Sequence, residues 1–121
     1  MTTFSFVLLF VESPAASANF YEGLLGKPPV EASPTFAMIP LTEGVMLGLW
    51  SKGTAEPKPG AVTGASEIAF TVASADEVDT THTDWAKRGI VILQKPTRMD
   101  FGQTFVALDP DGHRIRVLAP E

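Results

Sequence analysis

The side chains able to do chemistry are few, and their types favour holding a molecule over breaking bonds in one. There is no cysteine, which removes disulfides, thiolate metal sites and cysteine nucleophiles. The histidines, His82 and His113, fall on an expected helix and an expected turn, so neither belongs to a pattern that gathers metal ligands. Aromatic and ionic groups remain. Phe4, Phe6 and Phe10 recur along one apolar run, Trp50 ends another, and Gly48 stands just before it. A tryptophan at a strand end can stack on a planar ligand, worth about 0.5–1.5 kcal/mol beyond its burial. A glycine so close would remove a side chain from the floor beneath. Glu67, Arg114 and Arg116 carry charge into two further apolar runs. Burial would make the Glu67 carboxylate more basic and suit it to general-base work. No second acid or nucleophile accompanies it.

Placing these residues requires the elements that carry them. Residues 4–11 read as a strand, being β-branched and aromatic without a breaker. Ser13 can cap a following helix with Pro14 in its first turn, Ala16, Phe20 and Leu24 make an apolar stripe, and Gly26 ends it. Residues 28–33 suggest a weak edge strand, and 35–41 and 45–50 a hairpin turning at Thr42-Glu43-Gly44. The stretch 51–65, with Gly53, Pro57, Pro59, Gly60 and Gly64, is an exposed linker. The pattern then restarts. Residues 66–73 form a strand, Ser74 and Glu77 form a capping box, and Val78, His82 and Trp85 share one face of a helix that Gly89 closes. Trp85 reads as core. A further strand begins at 90–93, Met99, Asp100 and Phe101 lie in a loop, and 103–108 and 113–118 make a hairpin around Asp109-Pro110-Asp111-Gly112. Val11-Glu12-Ser13 thus matches Val72-Ala73-Ser74, and Phe36…Gly44…Leu49 matches Phe105…Gly112…Val117. The chain is an internal duplication. One domain is expected, with a first module over about 1–52, a linker over about 53–64 and a second module over about 65–121.

Strand parity then sorts faces. Val7, Leu9 and Val11, with Val45, Leu47 and Leu49, form one uniformly aliphatic set, as do Ile68, Phe70 and Val72 with Ile115 and Val117. That set suits a face covered by helix. The opposite set mixes Phe4, Phe6, Leu8, Phe10, Met46, Gly48 and Trp50 with Glu67, Arg114 and Arg116. Aromatics on such a face must be covered by a ligand, by the other half of the chain or by a partner chain.

Composition narrows the partners. At 121 residues, 45% hydrophobic and 19% charged, the chain can bury a core as one globular domain. A net charge of −5 disfavours nucleic acid and mildly favours a neutral or cationic ligand. The apolar start has no preceding Lys or Arg and is interrupted by Glu12, which argues against a cleaved signal. No apolar run approaches a membrane span. A cytoplasmic location is expected.

The duplicated βαβββ order, the stretch Phe20-Tyr21-Glu22-Gly23-Leu24-Leu25-Gly26, and Asp109-Pro110-Asp111-Gly112-His113 together resemble the vicinal oxygen chelate superfamily (glyoxalase, bleomycin-resistance and extradiol dioxygenase type). The likeness covers the whole chain. It implies an α+β fold of two tandem βαβββ modules forming a curved half-barrel sheet, a site inside that sheet, and a homodimer. Metal-using members place ligands at strand positions that here fall on Phe6, Gly48, Glu67 and Arg116. Of these only Glu67 could coordinate, so the family's metal chemistry does not carry over and no cofactor is expected. Within the superfamily the chain looks closest to its phenazine-antibiotic resistance branch. The resembling stretches are Leu47-Gly48-Leu49-Trp50-Ser51, Ser66-Glu67-Ile68, Glu77-Val78-Asp79, Asp100 through Phe105, and Asp109 through Val117. That branch implies stacking of a flat aromatic compound.

The expected ligand contacts are therefore Trp50, Phe6, Phe10, Gly48, Glu67, Arg116, Phe36 and Phe101. Trp50 would stack on the ligand, Phe6 and Phe10 would wall the cavity, and Phe36 and Phe101 would line its mouth. Glu67 and Arg116 would pair with each other and present polar groups to a ligand carboxylate or hydroxyl. Four functions compete: a metal-free protein that sequesters a planar aromatic antibiotic or toxin, a divergent metal-dependent lyase or oxygenase, a cofactor-free enzyme using Glu67 as base, and an interaction module whose aromatic face meets a partner chain.

Overall fold

A computed structural model of the chain describes residues 3–61 and 66–121. The chain divides into two compact units, Met1–Ala61 and Val62–Glu121. Residues 62–64 of the expected linker lie outside the described residues.

The first unit runs β1 (Phe6–Val11), α1 (Pro14–Leu25), β2 (Glu31–Ala32), β3 (Phe36–Thr42) and β4 (Val45–Ser51). Its sheet order is β1-β4-β3-β2. β1 lies parallel to β4, which requires a long crossover between them; α1 and the β2–β3 return supply it. The second unit runs β5 (Glu67–Thr71), α2 (Ala75–Lys87), β6 (Val91–Met99), β7 (Gly102–Leu108) and β8 (Arg114–Pro120), in sheet order β5-β8-β7-β6. Each unit is thus a βαβββ module: one helix and an open four-stranded mixed sheet.

The helix ends follow their capping residues. Ser13 Oγ accepts from the Ala16 amide at 3.2 Å, and Gly26 closes α1 in the left-handed conformation at φ 70°. Ser74 Oγ accepts from the Glu77 amide at 3.2 Å. The Glu77 carboxylate returns a bond to the amide of Ala73 at 3.4 Å, one residue before the cap. Asp76 and Glu77 in the first turn and Lys87 in the last complement the α2 dipole.

Each helix covers the aliphatic face of its own sheet. Under α1 lie Leu9, Val11, Ala37, Ile39, Leu47 and Leu49, with Ala18 and Tyr21 from the helix, all buried. Under α2 lie Phe105, Ala107, Ile115 and Val117, with Val78 and Trp85. Full burial of side chains this size stabilises by about 1.5–3 kcal/mol each, so these faces hold the units together. Trp85 is core, as expected, meeting the Phe105 ring edge-on at 5.3 Å between centroids.

Two expected elements differ. The edge strand at 28–33 contracts to Glu31–Ala32. Pro28, Pro29 and Pro34 lack amide donors and leave little to pair. The loop at 99–101 is tighter than expected. Met99 ends β6 opposite Gly102, leaving Asp100 and Phe101 as the turn of a hairpin.

Candidate functional site

The face of the first sheet away from α1 is built from cross-strand rows. Residues directly opposite one another share a face. One row runs Phe10–Trp50–Phe36, the next Leu8–Gly48–Met38–Glu31, and a third Phe6–Met46–Pro40. Phe6, Leu8, Phe36, Trp50 and Glu31 line an open hollow of about 420 Å³ on this face, within the range of small-molecule sites. Phe6 and Leu8 are 46% and 43% exposed, far more than apolar side chains in a finished core.

Trp50 is held by its neighbours. The Phe36 ring meets it edge-on at 6.4 Å (88°), and the Phe10 ring lies 6.2 Å away, tilted by 33°. These separations suit favourable quadrupole contacts. Phe10 braces Trp50 from the β1 side and stands beside the residues that line the hollow. Gly48 lies beneath. A Cβ there would run into Leu8 Cδ2 and stand 3.1 and 3.2 Å from Phe36 Cζ and Cε1. The missing side chain lets Leu8 and Phe36 settle over the strand.

The same face of the second unit carries charge. Arg116 donates through Nε to Glu67 Oε2 at 2.9 Å and through Nη2 to Glu67 Oε1 at 3.1 Å. This is a fork on both carboxylate oxygens. Its Nη1 donates to Thr104 Oγ1 at 3.1 Å, and the Thr104 hydroxyl donates to the Val117 carbonyl at 2.8 Å. Arg114 Nη1 stands 3.6 Å from Glu67 Oε1. The Phe101 ring sits 5.7 Å from the guanidinium carbon of Arg116, within cation–π range. The Glu67–Arg116 pairing read from the sequence is present.

The basicity expected of Glu67 is not. The Arg116 hydrogen bonds hold its carboxyl below the usual glutamate range. Partial burial pushes upward and loses, while the charges of Arg116 and Arg114 add to the lowering. A carboxylate so stabilised is a weaker base than free glutamate, so the arrangement does not favour general-base catalysis.

The four positions where metal-using relatives place ligands do not fit a divalent ion. Phe6 and Gly48 offer no donor atom, and both oxygens of Glu67 already accept from a permanent cation. Among the described residues, no group of three or more His, Cys, Asp or Glu is placed to hold a metal.

The expected site residues thus form two groups. Phe6, Phe36, Gly48 and Trp50, with Phe10 behind, gather in the first unit. Glu67, Arg116 and Phe101 gather in the second. Phe36 was matched to Phe105 in the repeat, and this is one residue out. Phe36 opposes Trp50, and its counterpart opposing Leu118 is Thr104. Phe105 points to the helix side and is fully buried against α2. Three residues were missed. Leu8 shares the parity of Phe6 and Phe10, and Thr104 shares that of Arg116's neighbours, so both could have been found. Glu31 sits on a strand too short to show any alternation.

Residues 3–117 match the Glyoxalase/Bleomycin resistance protein/Dioxygenase superfamily. The chain is 31% identical, over 113 residues, to the phenazine antibiotic resistance protein EhpR of Enterobacter agglomerans, covering 91% of this chain and 86% of that protein. The solution structure of a protein from Agrobacterium tumefaciens is 49% identical, with a TM-score of 0.89 over 100% of this chain and 99% of that one. A glyoxalase/bleomycin resistance protein/dioxygenase from Nocardioides shares the fold at 24% identity, with a TM-score of 0.83 over 99% of this chain and 84% of that one. No helix among the described residues is long and apolar enough to cross a membrane.

Proposed function

Since this chain belongs to the glyoxalase/bleomycin resistance protein/dioxygenase superfamily, we propose that it is a metal-free binding protein that sequesters a planar aromatic compound, in an antibiotic- or toxin-resistance role. One observation carries this reading: a hollow of about 420 Å³ walled by Phe6, Leu8, Phe36 and Trp50, with Gly48 giving Leu8 and Phe36 room to lie against the strand. Apolar side chains exposed together in a concave site lower their free energy when a flat apolar surface covers them. Sequestration needs affinity and no transition-state chemistry, and the lowered basicity of Glu67 agrees with that. The identity with a phenazine antibiotic resistance protein supports the same class of ligand.

Each residue then has a part. Trp50 stacks, braced by Phe10 and Phe36. Phe6 and Leu8 form the wall. In the second unit Arg116, forked on Glu67 and faced by Phe101, is the polar group that the open face of that unit offers to a carboxylate or hydroxyl. The protein acts in the cytoplasm as a homodimer.

Native mass spectrometry of the purified protein against a panel of planar aromatic antibiotics tests this, with Trp50→Ala as control. The expected result is one ligand per chain on a dimer, with the adduct lost in the variant. No adduct with any member of the panel would refute the reading. Stoichiometric Fe, Mn, Ni or Zn in the purified protein would turn it toward the metal-dependent lyase or oxygenase alternative.

A further inference from the structure

The hollow of the first unit is not wholly apolar. Among the described residues Glu31 is its single charged lining residue, set among Phe6, Leu8, Phe36 and Trp50. It reaches that position through the row Leu8–Gly48–Met38–Glu31, which crosses the whole sheet. It is exposed at the rim, and no described residue bonds or pairs with its carboxylate. The carboxylates that hold cations elsewhere contrast with it: Glu67 is forked by Arg116, Asp84 pairs with Arg88, and Glu121 pairs with Arg98. Among the described residues no lysine or arginine lines the hollow.

We infer that the ligand is a planar heteroaromatic cation, or a flat ring system carrying a protonated nitrogen on the edge that faces Glu31. This rests on the aromatic-binding reading above and narrows it. Two features of the site act in the same direction. The faces of Trp50, Phe36 and Phe6 carry the negative lobe of the ring quadrupole, which attracts a cation. The free carboxylate adds Coulombic attraction from one side, where the ligand's own bulk displaces water. A neutral ring would gain the stacking and leave Glu31 partly desolvated without a partner. An anion would meet repulsion from both. The net charge of −5 draws cations toward the protein as a whole.

The test compares two probes of nearly equal shape, phenazine and N-methylphenazinium, by isothermal titration calorimetry at low and moderate salt. The cation should bind on the order of tenfold tighter at low salt, the product of a cation–π gain and a rim ion pair. That preference should shrink as salt is raised. Glu31→Gln removes the charge from an exposed edge position and leaves the fold intact. It should reduce the cation's advantage to about threefold or less while leaving phenazine affinity within about twofold. Equal binding of the two probes to the wild type, or an undiminished preference in Glu31→Gln, overturns the charge assignment while stacking stands. Failure of both probes to bind overturns the stacking reading and this inference with it.

Discussion

Gly48→Ala should cost the protein its ligand while leaving the first unit folded. The new Cβ would collide with Leu8 Cδ2 and press on Phe36 at 3.1 and 3.2 Å. The Leu8 contact is the far end of a flexible side chain that is 43% exposed, so it can turn away for about 1 kcal/mol or less. Alanine in place of glycine in a strand recovers about 0.5–1 kcal/mol of backbone entropy, and Gly48 does not need the left-handed region. The two terms nearly cancel, so the thermal midpoint should move by about 5 °C or less. Binding has no such compensation. Leu8 and Phe36 both line the hollow, so a shift of either changes its shape, and the Phe36 ring is pressed from its edge-on seat against Trp50. Overpacking of this kind costs about 1–3 kcal/mol, or roughly 5- to 150-fold in affinity. Calorimetric titration with phenazine, beside a melting curve of each protein, separates the effects. Wild-type affinity in a folded Gly48→Ala protein would refute the idea that this glycine gives Leu8 and Phe36 the room that shapes the hollow. A midpoint lowered by about 15 °C or more would show instead that the bare backbone serves packing.

Further outcomes follow from the same geometry. Trp50→Ala should weaken phenazine binding by about tenfold or more and lower stability by about 1–3 kcal/mol, since the ring is only partly buried; titration and urea unfolding check both. Arg116→Met should destabilise the second unit by about 1–2 kcal/mol, discounted for partial exposure of the pair, as measured by urea unfolding. Because Glu67 is held below the usual glutamate range when folded, its contribution is present above the unfolded-state value and lost as pH falls through the folded one. Unfolding curves across the acid range should show that loss in the wild type and a shallower one in Arg116→Met. Trp85→Ala, which empties a buried site against Phe105, should cost about 3–5 kcal/mol and leave the protein largely unfolded on heating, visible by circular dichroism.

The legible parts of the fold were those with a period or a cap. Ser13-Pro14, Ser74 with Glu77, and Gly26 each mark a helix end by their own chemistry, and the ends fall there. Parity placed Leu9, Val11, Leu47 and Leu49 under a helix because any slip of one residue would have sent all of them to solvent. The Glu67–Arg116 pair was legible only through the family resemblance, whose ligand positions fall on both residues; strand register alone sets Glu67 opposite Arg114 and Ala69 opposite Arg116. Other features leave no such trace. A two-residue strand has no alternation, so Glu31 could not be assigned a face. Phe36 and Phe105 look alike by residue type, but Phe36 stands eight residues before Gly44 and Phe105 seven before Gly112, so spacing points to Thr104 as the counterpart of Phe36, which the strand pairs bear out. The bracing role of Phe10 depends on ring angles, which no sequence pattern encodes.

The two units solve one packing problem twice, and the residues that solve it have stayed alike. Beneath each helix the sheet presents small and branched apolar side chains, because any other choice would unfold the unit. The opposite face has no such duty. Leu8 stands across from Gly48 in the first unit, and Ala69 across from Arg116 in the second, so Phe6 and Glu67 are counterparts, as are Gly48 and Arg116, and Phe36 and Thr104. At each pair one copy is apolar or bare and the other polar. A site built around a metal ion would keep donor side chains at these positions. Here the copies have moved in opposite directions, one toward ring contact and one toward a saturated ion pair. Divergence of that kind removes the matched donors that a metal ion needs, and leaves the open face of each unit with its own chemistry, aromatic in the first and ionic in the second.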